Sequence, residues 1–181
     1  MNVEPLNAHN LYLIGYRCTG KSSVGRRLAT ILGRAFVDTD FAIVSKKGMS
    51  IRKIVNSRGW QDFRRLEYAA LQQVCSADRR VVATGGGIVL DAANIRLMKA
   101  SGKVIWLKAT PDTIKSRMKQ DQTSEVLRPA LTSKDSISEI EETLSERKPL
   151  YRQAMDFAVD TDHRRVDEIC DVIIGNLKAK D

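Results

Sequence analysis

The stretch Gly15-Tyr16-Arg17-Cys18-Thr19-Gly20-Lys21-Ser22 fits the pattern G-x-x-x-x-G-K-[ST] of a phosphate-binding loop set between a strand and a helix. Before it, Leu11-Tyr12-Leu13-Ile14 is a short apolar run suited to a buried strand. After it, Ser23 to Leu32 places Val24, Leu28, Ile31 and Leu32 on one helical face. The setting that the motif requires is therefore present. Gly15 and Gly20 permit a tight turn whose N–H groups point at phosphate oxygens, while the new helix presents its positive end to them. Lys21 is expected to reach the β- and γ-phosphates of a nucleotide. The Ser22 hydroxyl is the expected Mg²⁺ ligand, and Ser23 beside it joins the nucleotide-binding set. The plainer alternative is a glycine-rich turn with a solvated lysine.

Outward from the loop, Ala35-Phe36-Val37 leads into Asp38-Thr39-Asp40, a strand ending in two carboxylates. Strand-terminal acids near a phosphate loop are where a magnesium partner or a base should sit, although either could simply cap the next helix. Phe41 to Lys47 and Ser50 to Ser57 read as two short helices, and Gly59 breaks the run. Trp60 to about Ser76 is a longer amphipathic helix with Phe63, Leu66, Ala70, Leu71 and Val74 on one face. Arg64 and Arg65 in its first turn oppose the helix dipole, which hints at work other than helix stability. The strand Arg79 to Thr84 runs into Gly85-Gly86-Gly87, which allows close backbone approach to a ligand or merely a sharp turn.

Asp91 caps a helix through Lys99 that Gly102 ends, and Val104 to Leu107 is another buried strand. Thr110-Pro111-Asp112 opens the next helix. Gln120 to Glu125 is polar and aperiodic and leads into Val126-Leu127-Arg128-Pro129, a segment of lid length, though a plain surface loop would look much the same. Ser136 to about Met155 reads as a long helix kinked or broken at Pro149. Phe157 to Asp160 is a fifth strand and Val166 to Leu177 a final helix. Trp60 and Trp106 read as packing residues.

Five strands alternating with helices give an α/β fold whose parallel sheet is covered on both faces. Ligands should gather at the carboxyl ends of the strands. No linker divides the 181 residues, so one domain with a core of about 11–177 is expected. The net charge of +8 suits anionic partners, but no block of like charges marks a nucleic-acid tail and aromatics are sparse. Cys18, Cys75 and Cys170 lie far apart, as expected of reduced thiols in a cytoplasmic protein. Residues 1–10 lack the features of a leader and are expected to be a loose lead-in. No apolar run is long enough to span a membrane.

The loop, Asp38-Thr39-Asp40, Phe63-Arg64-Arg65, Gly85-Gly86-Gly87, Leu127-Arg128-Pro129 and Arg147-Lys148-Pro149-Leu150-Tyr151, in this order, resemble the shikimate kinase family. The resemblance implies a three-layer nucleoside-monophosphate-kinase-like fold with a lid at about 120–134 and a substrate-binding helical region at about 41–76. It implies ATP-dependent phosphorylation of the 3-hydroxyl of shikimate, a step towards aromatic amino acids, by a protein expected to act as a monomer without nucleic acid or membrane. Lys21 and Ser22 would hold phosphates and Mg²⁺, with Asp38 steadying the metal. Asp40 would draw off the acceptor proton, and Arg128 on the lid would close on the transferring phosphate. Arg64 and Arg147 would clamp the substrate carboxylate, with the glycine triplet, Gly86 above all, against the ring. Arg164 would lie against the adenine, and Arg117 is a candidate for its other face.

Such residue types suit the chemistry. A loose phosphoryl-transfer transition state needs positioning and cationic charge, and a guanidinium grips a carboxylate with two parallel bonds. Cys18 stands where the family commonly has glycine, so its Cβ is crowded if the backbone needs positive φ. A kinase for gluconate or a nucleoside monophosphate would keep the loop, but it should not need Arg64 and Arg147 together with the triplet. A nucleotide-binding module without catalysis, or an RNA-binding protein, is the alternative of another class.

Overall fold

The computed structural model describes residues 9–120 and 137–179. Arg128 and most of the expected lid lie outside the described residues. The first strand, β1 (Asn10–Ile14), alternates its side chains: Leu11 and Leu13 enter one apolar cluster, Tyr12 and Ile14 the other. It occupies the middle of a five-stranded sheet of order β2-β3-β1-β4-β5, with β2 at Ala35–Asp38, β3 at Arg80–Ala83, β4 at Gly102–Lys108 and β5 at Phe157–Asp160. Every pairing is parallel. Helices α1 (Lys21–Leu32) and α7 (Val166–Ala179) cover one face through Val24, Leu28, Ile169 and Ile173. On the other face lie α3 (Ile51–Cys75), α4 (Ala92–Ser101) and α6 (Ile137–Ala154), contributing Leu71, Met98 and Tyr151. These are the three layers expected. α2 (Thr39–Lys47) and α5 (Pro111–Gln120) follow β2 and β4.

Several boundaries differ from the sequence expectation, each for a local reason. Ile31 points to solvent, because the buried face of α1 runs through Val24, Gly25, Leu28 and Ala29. Strand β2 stops at Asp38, whose carboxylate accepts the Phe41 N–H and starts α2; Asp40 therefore belongs to the first helical turn. Gly59, at φ 81° and ψ 168°, interrupts α3 as anticipated. Gly102 is extended and begins β4. The helix α6 runs through Pro149, since the only acceptor deprived of its donor is the carbonyl of the solvent-exposed Ser145.

A polar cluster ties the foot of the sheet, away from the loop. Tyr12 Oη lies 2.7 Å from Ser101 Oγ and 3.2 Å from Cys75 Sγ, and Asn10 Nδ2 donates to the Ala77 carbonyl at 2.8 Å. At the opposite, carboxyl end, β1 delivers the phosphate loop, β2 delivers Asp38 and β3 the glycine triplet.

Candidate active site

The phosphate loop turns around its own lysine. Lys21 Nζ donates to the Gly15 carbonyl at 2.8 Å and to the Tyr16 carbonyl at 2.6 Å, and Thr19 Oγ1 donates to the Tyr16 carbonyl at 2.8 Å. Gly15 has φ 143°, and a methyl group on it would run into the Leu107 carbonyl. Gly20 has φ 92° at the helix start, where α1 receives no side-chain cap. An uncapped helix start of this kind attracts an anion. Cys18 adopts φ 59°, the left-handed region whose Cβ cost was anticipated.

Beside the loop, Ser22 Oγ donates to Asp38 Oδ2 at 2.7 Å, while Asp38 Oδ1 accepts the Phe41 N–H at 3.1 Å. Asp38 therefore caps a helix and also faces the loop. A hydroxyl and a carboxylate side by side are hard oxygen donors of the kind Mg²⁺ accepts when phosphates fill most of its shell. No cluster of three His, Cys, Asp or Glu that could hold a metal ion occurs among the described residues. Arg117 spans from the loop to β5: Nη1 donates to the Cys18 carbonyl at 3.3 Å and Nη2 to the Thr161 carbonyl at 2.7 Å. Asp162 in turn accepts the Thr110 N–H at 3.1 Å. Ser23 and Arg164 are solvent-exposed and join neither cluster.

Next to the loop opens a cavity lined by Tyr16, Arg17, Asp40, Ile51, Trp60, Phe63, Arg64, Glu67, Gly85, Gly86, Gly87 and Arg147. The resemblance implies that Asp40, Arg64, the triplet and Arg147 lie together, and the structure gathers all of them here. Arg64 Nη1 meets Glu67 Oε2 at 2.5 Å, one helical turn away on α3. A Cβ on Gly87 would overlap the Arg64 guanidinium, so the missing side chain gives that cation its space. Arg64 also sits 5.3 Å from the centre of the Trp60 ring and 5.5 Å from that of Phe63. Trp60 is 41% exposed and lines the cavity, which corrects its reading as a packing residue; Trp106 is packed as expected.

Glu67 lines the cavity, although sequence reasoning gave it no role. It is 1% exposed, and burial pushes its carboxyl up to about 7, a rise that the Arg64 guanidinium only partly offsets. The i, i+3 spacing of Arg64 and Glu67 was the available signal. Tyr16 and Tyr151 were likewise given no role, yet the first lines the cavity and the second touches the triplet.

A phosphate loop with a lysine and a Ser–Asp pair, opening onto a small pocket with one acid and two arginines, defines a small-molecule kinase for an anionic acceptor. A family model described as shikimate kinase matches residues 17–178. Shikimate kinase of Rhodopirellula baltica is 39% identical over 169 residues, covering 93% of this chain and 90% of its own. Shikimate kinase 2 of Photorhabdus laumondii is 45% identical over 141 residues, 78% of this chain and 80% of its own. The structure of shikimate kinase from Acinetobacter baumannii in complex with shikimate superposes with a TM-score of 0.88 at 31% identity, covering 95% of this chain and 94% of that one. The chain belongs to the shikimate kinase family, and its activity is the ATP-dependent phosphorylation of shikimate.

Proposed function

We propose that the γ-phosphoryl group of ATP passes to the 3-hydroxyl of shikimate across the boundary between the phosphate loop and the cavity, with Asp40 at the acceptor oxygen. The observation that carries this reading is that Asp40 lies buried on the cavity wall, two residues beyond the Asp38 that bonds Ser22. Both reacting ends can thus be positioned by one short segment, the strand end and first helical turn at 38–40.

Asp40 accepts a hydrogen bond from the attacking hydroxyl, orients it, and takes its proton as the oxygen–phosphorus bond forms. Arg64 and Arg147 grip the substrate carboxylate at the far end, and the Gly86 backbone supports the ring. Lys21 bears on the β- and γ-phosphates, and the N–H groups of the loop hold their oxygens. Ser22 and Asp38 would hold Mg²⁺, which when bound neutralises charge on the phosphates. Arg117 and Arg164 flank the adenine. Arg128, the cation assigned to the transferring group by the resemblance, lies outside the described residues. Retained within one chain, these roles need no second subunit, so a monomer is the proposed working form. Among the described residues no helix is long and apolar enough to cross a membrane.

Phosphorus NMR of the product tests the reading. Phosphate on the 3-oxygen, lost in Asp40→Asn, is the expected result; phosphate on another hydroxyl, or turnover untouched by that substitution, overturns it.

A further inference from the structure

Arg147 and Tyr151 lie four residues apart on α6 and so on the same helical face. Both donate to a single acceptor, the Gly86 carbonyl oxygen: Tyr151 Oη at 2.6 Å and Arg147 Nη1 at 3.2 Å. The two donors differ in freedom. Tyr151 is 0% exposed, and its ring stacks on Trp106 with centroids 5.4 Å apart and planes 20° from parallel. Burial also drives its hydroxyl well above the usual phenol range, so it stays a donor under all working conditions. Arg147 is only half-buried, faces the cavity, and has its guanidinium 5.9 Å from the Tyr16 ring centre.

A peptide oxygen has two lone pairs but needs only one partner to escape the penalty of an unmet acceptor. We infer that Tyr151 is a positioning residue that keeps the Gly86 carbonyl bonded, so that Arg147 can leave it for the substrate carboxylate while the glycine stays in place. The inference rests on Arg147 being a carboxylate clamp. Without the phenol hydroxyl, the move of Arg147 to the acid would orphan the Gly86 oxygen, and the backbone that supports the ring would lose its anchor. One helix would then supply both the cation that moves and the bond that makes its movement inexpensive.

The test is a double-mutant cycle of Tyr151→Phe and Arg147→Ala, read as kcat, the KM for shikimate, the KM for ATP, and Tm. Phenylalanine keeps the ring on Trp106 and removes only the hydroxyl. Tyr151→Phe should raise the KM for shikimate about tenfold, the size expected for one lost bond to a buried acceptor. The KM for ATP should not change, and Tm should fall by only a few degrees. In the Arg147→Ala background the same change should have almost no further effect on that KM. Three results overturn the inference: an unchanged KM for shikimate in Tyr151→Phe, an equal rise with and without Arg147, or a joint collapse of Tm, kcat and both KM values. If Arg147→Ala alone leaves the KM for shikimate unchanged, the clamp itself is wrong and the inference falls with it. If Arg147→Ala raises it and Tyr151→Phe does not, the clamp stands and only the role of Tyr151 is lost.

Discussion

Asp40 Oδ1 and Glu67 Oε1 face one another across Gly85: a methyl group added to that glycine would lie 2.7 Å from each. Two carboxylates on different helices therefore share the space left by a missing side chain. Gly85→Ala must push one or both aside, and a shift of about 1 Å in a catalytic group can cost about a hundredfold in rate. We expect kcat/KM for shikimate to fall by about that factor while calorimetric ADP binding stays as in the wild type. Full activity in the variant would mean that the two acids have room to spare.

Glu67 gives folding a pH dependence of unusual sign. Its carboxyl titrates at about 7 in the folded chain, above the ordinary 4.5, because burial outweighs the Arg64 pairing. Between these values the folded state holds a proton that the unfolded state has released. Stability should therefore fall as pH rises from about 4.5 to about 7, by at most about 3 kcal/mol, and level off above. Glu67→Gln should flatten this part of the Tm profile. Profiles of wild type and variant that run parallel from pH 5 to pH 8 would show that Glu67 titrates normally.

Asp40→Asn keeps the shape of the side chain and removes its basicity. Loss of a positioned general base costs typically about 10²–10⁴-fold. We expect a fall in kcat of that order with the KM for ATP unchanged, measured in a coupled assay of ADP release. A loss confined to the KM for shikimate would assign Asp40 to binding alone.

Arg64→Ala should act on the acceptor side only, raising the KM for shikimate while leaving the KM for ATP as it was. It also leaves Glu67 buried beside Asp40 without its guanidinium, so the Glu67 carboxyl should titrate still higher than about 7. Arg64→Lys should restore little, because an ammonium cannot offer two parallel bonds or stack on Trp60 as a guanidinium does. Rescue by lysine would reduce the role of Arg64 to bare charge.

Cys18 offers a check on the loop itself. At φ 59° a residue with a Cβ carries a cost of about 1 kcal/mol that glycine does not. Cys18→Gly should raise Tm slightly or leave it level, despite the entropy of glycine, and should not weaken ATP binding. Cys170 is buried, and Cys75 is engaged with Tyr12 and Ser101. Iodoacetamide should therefore reach Cys18 first, and ATP should slow it. Faster labelling of Cys75 would contradict this order.

The phosphate loop, the five strands and their parallel arrangement were legible because each rests on short-range signals: a fixed motif, apolar runs and turn glycines. The gathering of Asp40, Arg64, Gly85 to Gly87 and Arg147 was legible only through resemblance, since helical periodicity says nothing about which faces meet across a sheet end. Glu67 was given no role because its burial is a tertiary fact; on the sequence it is one more acid near two arginines. Trp60 was misread for the reverse reason, as an aromatic in an amphipathic run is usually packed, and here Gly59 turns the helix so that the ring borders the cavity. Pro149 shows a propensity rule yielding to solvent: the carbonyl it leaves without a donor lies where water can serve it.

The order of the sheet separates two inheritances. The nucleotide side is carried by the central strand β1 and its neighbour β4, whereas the excursion from Asp38 to Arg79, hung from the margin at β2, supplies Asp40, Trp60, Phe63, Arg64 and Glu67. A protein engineer could graft a different excursion at that margin to choose a new alcohol without redrawing the ATP half. Tyr16, Arg17, the glycine triplet and Arg147 would have to be retuned from elsewhere in the chain.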